Sequence, residues 1–154
     1  MATYSTNITI NAPIGDIWSV LADFPVISHW VPLIQHSCTL SQQRSGVGAV
    51  RRVQIAQQTL VETVTVWKPD TQLSYTIDGL PPIVGTATNT WRLEPSKRGV
   101  LVTLTTDIPT GRNPVRKLAA TKALERMSIA SNFMTSGLRQ ELATRRSEVK
   151  KLLV

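Results

Sequence analysis

Residues that hold metals or form disulfides are nearly missing from this chain. Cys38 is its only cysteine, and His29 and His36 are its only histidines. No internal disulfide can form, and no usual metal-ligand spacing occurs, so no metal site is expected. A lone thiol fits a reducing compartment, and the default expectation is the cytoplasm. No Gly-rich phosphate loop leads from a strand into a helix, and no cofactor is expected. No apolar run approaches the ~18 residues of a membrane-spanning helix. The first seven residues, Met1 to Asn7, have neither the basic start nor the apolar core of a signal peptide.

Charge is also missing where a basic protein would be expected to carry it. The net charge is +7, yet residues 1–111 hold seven basic and seven acidic side chains and sum to zero. Residues 112–154 hold ten basic and three acidic side chains and supply the whole excess. That segment could meet nucleic acid, anionic lipid or an acidic partner. A solvated outer helix face is the simpler reading. Specific nucleic-acid binding is not expected, only weak contact with anionic surfaces through residues 112–154.

What remains describes one domain over residues 1–154, large enough for a single core. Residues 3–10 alternate as a first strand. Asn11 is placed to cap a helix with Pro13 in its first turn. Ile14, Ile17, Trp18 and Leu21 then recur at helical spacing. A second short helix follows Asp23-Phe24-Pro25 and stops before Pro32. Six strand candidates come next, at 34–40, 48–55, 60–67, 72–78, 84–93 and 100–108. Their links are short and turn-like, which favours antiparallel pairing. After a loop at 109–114, helix formers dominate to the end. Leu124, Met127, Ser131, Met134, Leu138 and Leu142 mark one face of a long helix, packed from about residue 118. Gly137 lies mid-helix, where close approach of another element could explain it.

Strand side chains alternate between faces, so parity sorts them. Several apolar faces then carry one lone polar group. Glu62 falls with Val64 and Val66, and Asn89 with Ala87, Trp91 and Leu93. Arg51 falls with Ala49, Val53 and Ile55, and His36 with Ile34, Cys38 and Leu40. Tyr75 shares its face with Leu73 and Ile77. A buried charge without a partner costs several kcal/mol, so such groups must pair, meet water or meet a ligand. A two-residue turn at Ala56-Gln57 would set Arg51 opposite Glu62. That pair either anchors a ligand or fixes strand register, and both readings stay open. His36 is a candidate proton donor or ligand partner, with a satisfied core histidine as the alternative. Asn89 could orient a carbonyl, Tyr75 needs a hydroxyl partner, and Trp91 is the tryptophan placed to touch a ligand. His29 reads as surface, and Cys38 as a small buried hydrophobe.

The order of elements resembles the helix-grip fold of the START-like superfamily. This group includes Bet v 1-type proteins, bacterial polyketide cyclase/dehydrase-like proteins and plant abscisic acid receptors. The strings that carry the resemblance are Ile10-Asn11-Ala12-Pro13 through Trp18, Asp23-Phe24-Pro25 through Trp30, Gly48-Ala49-Val50-Arg51 and Asp107-Ile108-Pro109-Thr110-Gly111. His36 before Ser37-Cys38 stands where the receptors carry a ligand-binding lysine, and Glu62 stands near their pocket glutamate. The gate-like Gly79-Leu80-Pro81 falls one hairpin later than in the receptors, and Val102 replaces an acidic pocket residue. The resemblance therefore implies bacterial-type members rather than a hormone receptor.

The implied architecture is α+β: a seven-stranded antiparallel sheet wrapped around a long C-terminal helix, with two short helices after strand 1. The implied function is binding or carrying a small, mostly apolar molecule between sheet and helix. An enzyme of the polyketide cyclase/aromatase kind, working without metal, would use the same cavity. A third reading is an interaction protein that docks its basic helix on membrane or RNA. The ligand-binding candidates are His36, Arg51, Glu62, Tyr75, Asn89 and Trp91, expected to converge on one enclosed space.

Overall fold

Period-two alternation becomes a seven-stranded sheet in the computed structural model, which describes residues 1–154. The strands are β1 (Ala2–Ile10), β2 (His36–Thr39), β3 (Val50–Ile55), β4 (Gln58–Lys68), β5 (Gln72–Asp78), β6 (Ala87–Ser96) and β7 (Gly99–Ile108). Every neighbouring pair is antiparallel, in the order β1-β7-β6-β5-β4-β3-β2. Short links leave consecutive strands no other partner, so β2 to β7 form a meander. The first strand closes on β7. Helix α1 (Ile14–Ala22) and a 3₁₀ helix (Phe24–His29) lie between β1 and β2, and α2 (Pro114–Leu153) ends the chain. This is the helix-grip arrangement that the sequence implied. No helix is long and apolar enough to cross a membrane.

The β3–β4 hairpin turns on Ala56 and Gln57, with Ala56 at φ 53°. Two-residue hairpins need such positive φ values to match strand twist. The tight turn fixes register, and Arg51 lies opposite Glu62 as expected.

Two strands depart from simple parity. A bulge interrupts β4 between Val64 and Val66. An extra residue flips every side chain beyond it. Val66, expected on the inner face, therefore pairs with Ser74, while Trp67 turns inward opposite Leu73. Trp67 meets Trp18 of α1 edge to face at 5.2 Å. In β2 the expected strand of residues 34–40 shrinks to His36–Thr39, and its inner residues are Ser37 and Thr39, opposite Val53 and Arg51. Ile34 is buried, but it belongs to the preceding link, so it says nothing about strand parity.

Helix α1 begins elsewhere than expected. The N-cap of α1 is Pro13, without a side-chain cap, and Asn11 lies two residues outside. In α2, Asn113 accepts from the Val115 and Arg116 amides, and Pro114 takes the first helical position. That combination starts the helix at once, and its packed part begins at Ala119 and Ala120, near residue 118 as expected.

α2 lies across β1 and β7 and touches α1, while the 3₁₀ helix covers β2 and β3. The buried side of α2 runs through Ala120, Ser131, Met134, Leu138 and Leu142; Leu124 and Met127, expected inside, are half-buried and pack against the edge of the core. Gly137 lies against the Trp30 carbonyl, where a β-carbon would collide. Beyond Leu142 every residue is exposed. Forty residues span about 60 Å, roughly twice the length of the strands beneath, so the tail overhangs.

Candidate functional site

Arg51 and Glu62 form a buried ion pair on the concave face, with Arg51 Nη2 donating to Glu62 Oε2 at 3.1 Å. Their side chains are only 3% and 6% exposed. Arg51 Nη1 donates to the Phe24 carbonyl at 2.8 Å, and the guanidinium stacks over the Phe24 ring at 3.7 Å. The Tyr75 ring, edge to face with Phe24, also meets it, with its centroid 4.8 Å from the guanidinium carbon. Two aromatic faces and a carbonyl thus replace the water that the cation gave up. One donor has no such replacement: Arg51 Nε is buried without a protein acceptor.

A polar row crosses the sheet beside this pair. Tyr75, Asn89 and Thr106 stand directly opposite one another on β5, β6 and β7. Thr106 Oγ1 donates to Asn89 Oδ1 at 2.6 Å, and Asn89 Nδ2 donates to the Tyr75 hydroxyl at 3.3 Å. Trp91 Nε1 donates to the same hydroxyl at 3.3 Å. The Tyr75 oxygen thus accepts twice. Burial raises the Tyr75 pKa above its ordinary 10.0, and the negative charge of Glu62 raises it further; Arg51 and the two donated hydrogen bonds oppose the rise. The phenol is held neutral. Thr106 was missed in the sequence, where threonines at 103, 105 and 106 leave the polar face of this strand unmarked. Its own even-numbered register with Leu104 and Ile108 was the available signal.

Aromatic packing closes over the row. Phe24 meets Tyr75 edge to face at 5.5 Å, and Trp30 meets Trp91 at 6.2 Å. Trp30 Nε1 is buried and also has no protein acceptor.

Five of the six candidates, Arg51, Glu62, Tyr75, Asn89 and Trp91, therefore lie on the covered face. His36 does not. It is exposed and pairs with Gln54 on the outer side of the sheet, because the true β2 alternation is one residue out of step with Ile34. The inward positions of β2 go to Ser37 and Thr39 instead. Ser37 Oγ donates to the Pro25 carbonyl and is hydrogen-bonded to Ser28 Oγ, tying β2 to the 3₁₀ helix. Cys38 faces outward with Arg52 and is half-buried rather than a core residue.

Nor do the candidates line one open space. Two clefts flank α2. One, of about 290 Å³, lies between its N-terminal half and the β5–β6 link, with Leu80, Val84 and Met127 in its walls. The other, of about 730 Å³, separates the β1–α1 link from the helix tail. Neither is lined by Arg51, Glu62, Tyr75, Asn89 or Trp91. The expected enclosed cavity is replaced by a packed polar cluster with an open cleft at the mouth of the grip, since the 3₁₀ helix drops Phe24 and Trp30 onto the row.

Solved structures share this architecture at low sequence identity. The aromatase/cyclase Zhui from Streptomyces sp. R1128 is 21% identical, with a TM-score of 0.71 and 94% of each chain covered. Ara h 8.0201 is 15% identical, with a TM-score of 0.70, over 93% of this chain and 98% of its own. Protein MLL2253 from Mesorhizobium loti is 18% identical, with a TM-score of 0.70 and the same coverage. These likenesses show a shared helix-grip fold. No curated protein matches the chain by sequence. A family model described as polyketide cyclase/dehydrase and lipid transport matches residues 1–143, and the chain belongs to that family.

Proposed function

We propose that this chain is a single START-like ligand-binding unit that takes a small, mostly apolar molecule between the sheet and α2. The observation that carries the reading is the state of the interior polar groups. Trp30 Nε1 and Arg51 Nε are buried donors without a protein acceptor. Buried donors are nearly always paired in folded proteins, so two orphans in one cluster favour a guest that carries an acceptor. In this reading the guest takes the place of the Phe24 and Trp30 packing over the row, Arg51, Glu62, Tyr75, Asn89 and Trp91 orient it, and apolar walls supply its affinity. Met127 lines the cleft and Met134 lies two turns deeper on the same helix. Unbranched thioethers re-pack readily, which provides a route inward. Family membership and the lipid-transport description support the reading.

A cyclase/aromatase activity at the same place is the second reading, favoured by the likeness to Zhui, named an aromatase/cyclase. Its proton-moving groups would be Tyr75 and Glu62, a neutral phenol beside a carboxylate.

Native mass spectrometry of gently purified protein, followed by organic extraction, tests the binding reading. The expected result is one bound small molecule in the wild type and its loss in Trp30→Phe, with near-UV circular dichroism confirming that the variant folds. A wild type that carries no guest and binds no neutral apolar dye sinks the reading.

A further inference from the structure

The small cleft has a chemistry of its own. Ala119, Lys122, Ala123, Arg126 and Met127 line its α2 side, and their three- and four-residue steps put them on one helix face. Where α2 is well packed, this face carries Met134, Leu138 and Leu142. At the cleft it carries two alanines beside Met127, and a gap of about 290 Å³ lies against them. Leu80, Ile83 and Val84 of the β5–β6 link form the opposite wall, with Ile83 44% exposed.

The rim is cationic. Lys122 and Arg126 stand four residues apart, and the Arg116 guanidinium lies beside Gly85 at the end of the same link. None of these three side chains joins any of the molecule's ion pairs, which link Arg44 to Asp23, Arg51 to Glu62 and Arg145 to Glu141. No acidic residue lines the cleft; Glu125, the nearest acid in sequence, is absent from its walls. Like charges at this spacing oppose helix formation. Further along, α2 relieves its charge with the Arg145–Glu141 pair. At the cleft it leaves the cations free beside an apolar slot.

We propose that this cleft selects amphipathic anions, seating an apolar body between the β5–β6 link and Ala119 and Ala123 while Lys122 and Arg126 hold a carboxylate-type head at the rim. The inference rests on the binding reading above, with this cleft as the mouth through which the guest enters, and names the class of ligand admitted. Complementary charge at a slot that is apolar inside gives orientation: head at the rim, body inward.

Two naphthalene dyes differing mainly in charge test it: anionic 1-anilinonaphthalene-8-sulfonate and neutral N-phenyl-1-naphthylamine. Binding is followed by fluorescence at low and at ~0.5 M salt. The wild type should prefer the anion by about tenfold at low salt, and salt should erase the preference. The double variant Lys122→Gln, Arg126→Gln should lose that preference. Ala123→Leu, which fills the slot, should weaken both dyes, with thermal melts confirming a folded protein. Neutral-dye binding without anion preference would overturn the anion inference and leave the binding reading standing. Anion preference that survives both variants would place the site elsewhere and overturn it as well. Failure of both dyes to bind the wild type would overturn the two together.

Discussion

Arg51 and Glu62 are worth more as a pair than either is alone. Both are almost dry. Glu62→Ala leaves a buried guanidinium without its counter-charge and should cost roughly 3–5 kcal/mol, measured by urea denaturation. Replacing both, as Arg51→Met with Glu62→Leu, should cost clearly less than the single change, because no unpaired charge remains. A double variant as unstable as the single would show that the Phe24 carbonyl and ring contacts, not the ion pair, dominate. Tyr75 supplies a second prediction. Its folded pKa is raised above the ordinary 10.0 by burial first and by Glu62 second. The neutral phenol's contribution is therefore full below pH 10 and is lost as pH climbs through the higher folded value. Stability should fall on the alkaline side of about pH 10, and Tyr75→Phe should flatten that slope. At neutral pH the same variant strips the acceptor from Asn89 Nδ2 and Trp91 Nε1 and should cost about 1–3 kcal/mol. An unchanged alkaline slope in Tyr75→Phe would remove the phenol as its source.

Among the elements, α2 shows how contact with a neighbour overrides local preference. Gly→Ala in an exposed helix interior gains up to ~1 kcal/mol. At Gly137 the sign should reverse, because the new β-carbon meets the Trp30 carbonyl. Gly137→Ala should destabilise by about 1–3 kcal/mol in thermal or urea melts, as overpacking does. A stabilised variant would mean that the 3₁₀ helix shifts away at little cost. Element order, the hairpin turn at Ala56-Gln57 and the Arg51–Glu62 register were legible because each follows from a local rule: alternation, short links, tight-turn geometry. The β4 bulge and the short β2 were not. A bulge inserts a residue without a sequence mark of its own, and a four-residue edge strand offers too few positions to reveal its parity. His36 was misplaced for that reason, through a buried Ile34 that is not part of the strand.

At the scale of the whole molecule, charge and shape separate. The body is neutral and the +7 belongs to residues 112–154, divided between the rim of the small cleft, with Lys122 and Arg126, and the wall of the larger one, with Arg139, Arg145, Arg146 and Lys150. Fluorescence anisotropy should find weak duplex-DNA binding at low salt that disappears by ~0.15 M. Sub-micromolar, sequence-selective binding retained at that salt would promote a nucleic-acid role. The sequence by itself determined the α+β class, the strand series, the covered and wet faces of most strands, and the pairing of Arg51 with Glu62, since short-range periodicity and turn length settle these. Only the tertiary structure decided which groups meet. The approach of the 3₁₀ helix drops Phe24 and Trp30 onto the Tyr75–Asn89–Thr106 row, so the expected cavity is filled there. The opening lies instead where Ala119 and Ala123 face the β5–β6 link. Distances between elements depend on how side-chain volumes fit across the whole core, and no single segment of the chain contains that sum.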